Sequence, residues 1–365
     1  MDQLTKPRRS GRERLGAAFP AAVVLAGLAL SSAAGAHEFC VTTAAQLQQA
    51  LADSGDGGPY VAEVNQIDVV QGTYETGSAT GNGPFTFVSS GLSYLTLLGG
   101  YTPGCGARDA KASLTILDGK HATQVLSIRS KTGGFTVSGF TIQNGETDAV
   151  GAGLSMDRLV GDAGIIWVTG NIIRNNHTTN VAGGVFLHTG AGTGNGLLLQ
   201  ANLIAGNSAD GGSGAGRMLN DGDYLHVFNN TITDNSTILA EGTGGLYCDN
   251  TDGEGFILNN ILWSNTNSGI YLTSNSYFFE YNDVGTRGGV TPVDLVGNVS
   301  VSPSFINAGN GNYRLAGDSP LLGFSPTLPQ GSDADGHSNP TSGRMDLGAF
   351  ETTIFIDQFG GFGGD

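Results

Sequence analysis

Five glycine-led segments of the sequence place aromatic and polar side chains at fixed offsets, an arrangement that could bind a ligand. The second residue after the glycine is Ser155, Phe186, Met218, Tyr247 or Tyr271, and the fourth is Asp157, His188, Asn220, Asp249 or Thr273. Aromatic rings beside hydrogen-bonding groups suit sugars, which have apolar faces and hydroxyl edges. The alternatives are an ordinary solvated face and a catalytic site. The pattern predicts a ligand-binding strip made of Phe186, His188, Asn220, Tyr247, Asp249 and Tyr271.

Catalytic signatures are missing from the sequence. It contains no nucleophile elbow, phosphate-binding loop, HExxH helix or clustered Cys/His zinc pattern. Between residues 139 and 285 the cationic side chains are Arg158, Arg174 and Arg217, too few to neutralise a uronate polymer for lyase chemistry. Asp157 and Asp249 are three repeats apart, roughly 14 Å, which exceeds the separation of a glycosidase carboxylate pair. We therefore assign no catalytic residue.

Two acidic groups could hold a cation. Asp223 and Asp252 occupy equivalent positions in adjacent repeats, and the segment DADG (333–336) with Asp346 weakly suggests calcium. Aspartates in glycine-rich turns are more often turn formers, and DADG lacks the other ligand positions of a calcium loop. We expect no obligatory cofactor, with Ca²⁺ left open.

The positioning elements follow from an internal repeat. The motif N-x-[IL]-x-x-N recurs, and its central residues are Ile142 (a degenerate copy), Ile173, Ile204, Ile232 and Leu262, at intervals of 31, 31, 28 and 30 residues. Each repeat contains three short strand-like runs separated by bends, without helical periodicity. Such a period is typical of solenoids. The sequence predicts an all-β fold, a right-handed parallel β-helix solenoid.

Strand alternation assigns residues to faces within each repeat. Inward positions are Leu154, Met156, Val185, Leu187, Leu246, Cys248, Ile270 and Leu272, so Cys248 is expected to be a core residue. Arg217 breaks this pattern, which means either a one-residue slip or an arginine directed at the core. The recurring asparagines should form bends in the left-handed region and stack as hydrogen-bonded ladders; they are Asn171, Asn202, Asn230, Asn260 and Asn282.

The N-terminus predicts export. A basic segment precedes an apolar stretch from Leu15 to about residue 30 and the small residues 31–36, as in a secretory signal peptide; a retained membrane anchor is the alternative. No later segment is long and apolar enough to span a membrane. The net charge is −16, and it becomes −19 without residues 1–36, which carry five basic and two acidic residues. Such a surface excludes nucleic-acid binding.

Two features predict how the N-terminal end is closed. In an oxidising compartment we expect a Cys40–Cys105 disulfide, with Cys248 unpaired. Residues 41–55 have apolar residues at helical spacing, with Thr42 or Thr43 as the N-cap. A short helix here would cap the solenoid.

Several segments resemble known families. LTLLGGYTPGC (95–105) with LTILDG (114–119) is similar to the opening of secreted pectate-lyase-like β-helix proteins, and the repeats resemble polymorphic outer-membrane proteins. Residues 302–323 with 333–351 resemble the C-terminal end of choice-of-anchor β-helix proteins, although Asn339 stands where that pattern usually has arginine. Residues 354–365 resemble a degraded surface-sorting tail of Gram-negative exported proteins. The resemblance implies cell-surface, outer-membrane-associated location in a Gram-negative bacterium.

The resulting organisation has five parts: a signal peptide (1–36), an N-terminal cap and first coils (37–120), β-helix repeats (121–300), C-terminal coils and cap (301–352), and a surface-sorting tail (353–365). The expected function is non-enzymatic adhesion to, or recognition of, an extracellular polysaccharide or matrix. The alternatives are a polysaccharide-degrading enzyme, a hydrolase rather than a lyase, and a structural envelope protein, because this fold supports all three.

Overall fold

A computed structural model describes residues 36–159, 164–251, 253–292, 294–326, 329, 331–341 and 343–352. Apart from Ala36, the expected signal peptide lies outside these residues, as does the expected sorting tail. The described chain is all-β, and most of its strands belong to three sheets in which every pairing is parallel.

The first sheet has fourteen strands. Many of these strands are short. Others are longer because two consecutive strand segments of one repeat continue without a break. The strands are Ala36–Val41, Val64–Val70, Phe85–Tyr101, Leu126–Ser138, Leu154–Arg158, Gly164–Thr169, Val185–Gln200, Gly216–Phe228, Leu246–Asn250, Glu254–Leu258, Ile270–Leu272, Tyr277–Glu280, Arg287–Gly289 and Asp294–Val296.

The second and third sheets have eight and four strands. The second contains Gly72–Glu75, Thr115–Asp118, Thr141–Gln143, Ile172–Arg174, Leu203–Ala205, Thr231–Thr233, Ile261–Trp263 and Asp283–Val284. The third contains Glu146–Thr147, His177–Thr178, Ser208–Ala209 and Ser236–Thr237. A separate antiparallel pair joins Phe305–Asn307 to Asn312–Leu315.

The chain visits the three sheets in turn, so that each repeat adds a strand beside its predecessor. Ile173 pairs with Ile142 on one side and with Ile204 on the other. Ile204 in turn pairs with Ile232, and Ile232 with Leu262. The alignment of the N-x-[IL]-x-x-N motifs is therefore confirmed at their central positions.

A continuous hydrophobic core runs between the sheets from Val41 to Phe279. All the predicted inward residues are fully buried there. Cys248 is among them and is not disulfide-bonded, as expected for a core residue. Because a three-residue strand such as Ile270–Leu272 cannot bury its own apolar side chains, its stability comes from the strands beside it.

Asparagine ladders line two successive bends of the repeat. In the first, the Oδ1 of each asparagine after Asn171 accepts bonds from the backbone N–H and the Nδ2 of the preceding ladder asparagine. Asn202, for example, receives bonds of 3.0 and 3.1 Å from Asn171. The ladders comprise Asn171, Asn202, Asn230, Asn260, Asn282 and Asn298, and Asn176, Asn207, Asn235 and Asn265. The predicted ladder is confirmed.

The predicted location of the left-handed bends was wrong by one residue. Positive φ occurs immediately before the ladder asparagine, at Asn229 (φ 55°) and Asn259 (φ 62°), for example. The ladder residue itself must direct its side chain inward, where Asn230 is fully buried, so its neighbour makes the turn.

A helix and a disulfide close the N-terminal end. The helix spans Ala44–Ser54, and the Thr43 side chain caps it by accepting a bond from the Gln46 backbone N–H. Leu47 and Leu51 are buried against the core. Cys40 and Cys105 form the predicted disulfide. Short 3-10 helices span Ser78–Thr80, Pro103–Cys105, Ala112–Leu114 and Ala308–Asn310.

The C-terminal segment packs on the outer face of the second sheet. Phe350 and Ala349 contact Leu203 and Ala205, and a neighbouring apolar cluster includes Ile261, Leu315, Leu321 and Leu347. The Ala349 backbone N–H donates to Thr231 Oγ1 at 3.0 Å. The outward residues of the predicted strip on the first sheet, such as Phe186 and Tyr247, are not part of these clusters.

Candidate functional site

An outward column of side chains crosses consecutive strands of the first sheet. Phe186, Arg217, Tyr247 and Tyr271 are register partners in that order, and we call them the aromatic column. All four are partly exposed, whereas their strand neighbours Leu187, Met218, Cys248 and Leu272 are fully buried. The structure thus brings Phe186, Tyr247 and Tyr271 together on one face, as predicted.

Arg217 takes the outward position that the sequence pattern gave to Met218. Gly216 lies opposite Val185 and Leu246, so the strand is displaced by one residue from the predicted alignment. A Cβ on Gly216 would lie only 2.4 Å from the Val185 carbonyl oxygen, which leaves room for glycine alone. Of the two explanations for Arg217, the one-residue slip is correct.

The same displacement moves Asn220 off the predicted strip. Its side chain is 1% exposed and donates to the Gly222 carbonyl at 3.1 Å and to Asn250 Oδ1 at 2.7 Å. Asn220 is therefore an interior residue, and its predicted place on a ligand-binding surface was wrong. Leu219 occupies the outward position instead.

Within the aromatic column, the ring of Tyr247 contacts both of its neighbours, Tyr271 and Arg217. Tyr247 and Tyr271 are stacked with centroids 5.3 Å apart and planes within 5°. The Arg217 guanidinium carbon lies 4.5 Å from the Tyr247 ring centroid, a cation–π contact. Tyr247 lies between these two neighbours in register, so its ring edge and hydroxyl, rather than its face, are available to a ligand.

Burial is the main influence on the Tyr247 hydroxyl. It raises the pKa of Tyr247, and the nearby Asp249 carboxylate raises it further, whereas Arg217 acts in the opposite direction. The hydroxyl is thus a neutral donor and acceptor at physiological pH, which is the form that hydrogen-bonds to ligand hydroxyl groups.

A second column of outward side chains runs beside the aromatic column. Its successive register partners are Asp157, His188, Leu219 and Asp249, and we call it the polar column although Leu219 interrupts it. His188 Nδ1 lies 2.7 Å from Asp157 Oδ1, and its Nε2 lies 3.9 Å from Asp221 Oδ2. Asp249 accepts a bond of 2.8 Å from Thr273 Oγ1. The face therefore combines fixed aromatic edges with carboxylates and an imidazole.

Two further residues of this face, Asp221 and Arg129, were not predicted from the sequence. Arg129 Nε lies 3.9 Å from Asp157 Oδ2, at the N-terminal end of the polar column. It also lines a depression of about 260 Å³ with Val88, Ser90, Lys131 and Leu159 among others. The one-residue displacement at Gly216 conceals Asp221, because the predicted alternation places its side chain on the wrong face.

The carboxylate arrangement does not match that of a glycosidase. Asp157 and Asp249 are separated by three strand steps, roughly 14 Å at the usual spacing. Asp157 and Asp221 are closer, but the imidazole of His188 lies between them. A sugar and its attacking water need that space in a carboxylate pair of this kind.

The acidic segment near the C-terminus makes capping bonds. Asp333 Oδ1 accepts from the backbone N–H groups of Asp335 and His337, and Oδ2 accepts from Glu351 N. The carboxylate of Asp346 accepts from Gly323 N and Thr352 N. Burial, together with these neighbouring carboxylates, raises the pKa of Glu351 to about 8.

Asp223, which the sequence offered as a turn former or a cation ligand, bonds to the backbone of a neighbouring strand. Asp223 accepts a bond of 2.6 Å from Gly194 N, while its suggested partner Asp252 lies outside the described residues. Within the described ranges, no group of three or more His, Cys, Asp or Glu side chains is placed to hold a metal ion. The expectation about Ca²⁺ remains untested.

Comparison with protein-family models, curated proteins and solved structures gives no match to this chain. Among the described residues, no helix is both long enough and apolar enough to cross a membrane.

Proposed function

We propose that the chain is a secreted, cell-surface right-handed parallel β-helix protein of the pectate-lyase-like, choice-of-anchor or polymorphic outer-membrane type. Supporting this architecture, successive repeats add parallel strands to three sheets in chain order. Parallel crossover connections are overwhelmingly right-handed. The Cys40–Cys105 disulfide favours an oxidising, extracytoplasmic compartment. Sequencing the N-terminus of the exported protein tests the location; a chain retaining residues 1–36 in the cytoplasm would contradict it.

Its function, in this proposal, is to bind an extracellular polysaccharide or matrix glycan without cleaving it. The observation that carries the proposal is the stacked series Arg217–Tyr247–Tyr271 beside the carboxylate of Asp249. A sugar presents hydroxyl groups around apolar ring faces, and this surface offers aromatic edges, phenol hydroxyls and acceptors at strand spacing. Side chains that are already stacked lose little further rotamer freedom on binding.

Binding is favoured over hydrolysis because the carboxylates are either too far apart or separated by His188. Polysaccharide hydrolysis remains the alternative, and a purely structural envelope role is the third. The three differ in measurable ways: a binding protein retains a glycan unchanged, a hydrolase releases reducing ends, and a structural protein does neither.

A glycan-array screen of the mature, disulfide-bonded chain is the direct test, with reducing-sugar release measured on every hit. Tyr247→Ala should weaken binding about tenfold or more, since losing the ring edge and the hydroxyl together costs roughly 1–2 kcal/mol. Phe256→Ala is the matched control, because Phe256 also lies between two ring side chains, His226 and Phe278, on the other half of the sheet. Equal losses in both variants, or no glycan bound, would contradict the proposal.

A further inference from the structure

His188 is held in a fixed orientation on the outer face by a carboxylate. Asp157 Oδ1 lies 2.7 Å from Nδ1 and, as a carboxylate oxygen, can only accept, so Nδ1 carries the proton and donates it. In the neutral imidazole, the lone pair is then on Nε2. The His188 and Asp157 side chains are each about one-quarter exposed, so the pair lies at the surface of the protein.

Asp221 faces this nitrogen and is itself oriented. Thr251 Oγ1 donates to Asp221 Oδ1 at 3.0 Å, and Oδ2 lies 3.9 Å from His188 Nε2. That separation is too long for a hydrogen bond. The two atoms therefore face each other across a gap without bonding to each other.

We propose that His188 Nε2 and Asp221 Oδ2 together bind a divalent transition-metal ion of the zinc class. Zn–N and Zn–O bonds of about 2.0–2.2 Å at a tetrahedral angle separate two ligand atoms by roughly 3.3 Å. A displacement of the side-chain atoms by about 0.6 Å would bring the pair from 3.9 Å to that distance. The remaining coordination positions are open to water or to a donor atom of a bound molecule.

Each ligand has the outer support that metal ligands usually have. The ligating imidazole donates its other nitrogen to a carboxylate, Asp157, and the ligating carboxylate accepts a bond from a hydroxyl, Thr251. An exposed ion pair needs no such support on both sides. The net charge of −16 also attracts cations to the surface.

The ligand set discriminates between metals. Imidazole nitrogen is a preferred ligand for zinc, copper and nickel, whereas calcium and magnesium take oxygen ligands almost exclusively. One nitrogen and one carboxylate oxygen therefore favour the former group. With only two protein ligands, the site differs from a closed structural zinc site, and it does not depend on the proposed glycan function.

The test is a calorimetric titration of the chelator-treated mature chain with ZnCl₂. We expect one ion to bind, His188→Gln to abolish binding, and Asp157→Asn to weaken it 10- to 100-fold by removing the orienting carboxylate. His177→Gln is the matched control, because His177 Nδ1 contacts a serine hydroxyl, Ser208 Oγ, at 2.9 Å. That variant should bind zinc as the unmodified chain does.

Folding and selectivity controls accompany the titration. All variants should retain the circular dichroism spectrum of the parent chain, and excess CaCl₂ should not displace zinc. Zinc should also perturb the ring resonances of His188 selectively in an NMR spectrum. The proposal is overturned if no zinc binds at 1 mM, if His188→Gln binds it normally, or if calcium competes on equal terms.

Discussion

Tyr247 and Tyr271 lie on adjacent strands with their rings parallel, 5.3 Å between centroids and 5° between planes. Phe186 lies on the same column but is separated from Tyr247 by Arg217. The column is thus a series of nearest-neighbour contacts. Tyr247 and Tyr271 should affect stability and ligand binding together, since their rings support each other.

The first prediction concerns the energy of this stack. In a double-mutant cycle, Tyr247→Ala and Tyr271→Ala should show a coupling of about 0.5–1.5 kcal/mol, the usual value for a stacked aromatic pair. Denaturant unfolding of the four proteins measures it. The control cycle pairs Tyr247→Ala with Phe186→Ala, for which we expect coupling near zero. Equal coupling in both cycles would show that coupling along the aromatic column is not confined to nearest neighbours.

The second prediction concerns the first asparagine ladder. Asn230 donates to the carbonyls of Leu199 and Phe228 and to Asn260, and its Oδ1 accepts two bonds from Asn202. Asn230→Ala should lower the free energy of unfolding by about 2–4 kcal/mol, because buried donors and acceptors on both neighbouring strands lose their partners.

Asn275→Ala is the control for the ladder. Asn275 is exposed, and among the described residues its side chain has no hydrogen bond. Its substitution should change the unfolding free energy by less than about 0.5 kcal/mol. Asn250 would be an unsuitable control although it lies outside the N-x-[IL]-x-x-N motif, since it is buried and bonded to Asn220 and Gly253. Equal destabilisation by Asn230→Ala and Asn275→Ala would contradict a structural ladder.

The repeat period explains how much of the fold could be predicted from the sequence. The spacing of Ile173 and Ile204 fixes their register, because each repeat must bury the same apolar face. The asparagines follow from the same period, since a buried amide at a bend needs an identical partner one strand away. The capping helix follows from the local pattern of residues 41–55, and the disulfide follows from the expectation of an oxidising compartment.

The wrongly placed residues of the candidate site come from a single irregular repeat. In Gly184–Val185 and Gly245–Leu246 a glycine precedes the first inward residue, whereas in the repeat between them Ala215 precedes Gly216. Aligning on glycine therefore moved Arg217, Met218 and Asn220 by one place. A one-residue slip exchanges the faces of a whole strand, so a local error in register became an error in the candidate site.

The third prediction concerns thiols. The mature chain unfolded without reductant should titrate one thiol, Cys248, and the native chain none, because Cys248 is fully buried and burial raises the pKa of its thiol. Reduction of Cys40–Cys105, which are 65 residues apart, should lower stability by about 4 kcal/mol in the loop-entropy estimate. Melting curves with and without reductant measure it. Three thiols in the unreduced unfolded chain would exclude the disulfide.

The last prediction concerns acid stability. His226 is packed among the rings of Tyr224, Phe228 and Phe256, and burial lowers the pKa of His226 to about 4. The unfolded chain binds a proton below a pH of about 6.5 while the folded chain does not, so stability is lost as the pH falls from that value towards 4. His226→Leu should remove this loss. At pH 7.5 the variant should be close to the parent, and at pH 5 it should be more stable relative to the parent by about 1–2 kcal/mol.

His177→Gln is again the control, because the ring of His177 contacts a serine hydroxyl and not an aromatic cluster. Denaturant unfolding at the two pH values separates the outcomes, since changes in the many surface carboxylates cancel between variant and parent. A variant whose relative stability is the same at both pH values would mean that His226 takes up its proton in the folded chain, and that the aromatic cluster around it is open to water.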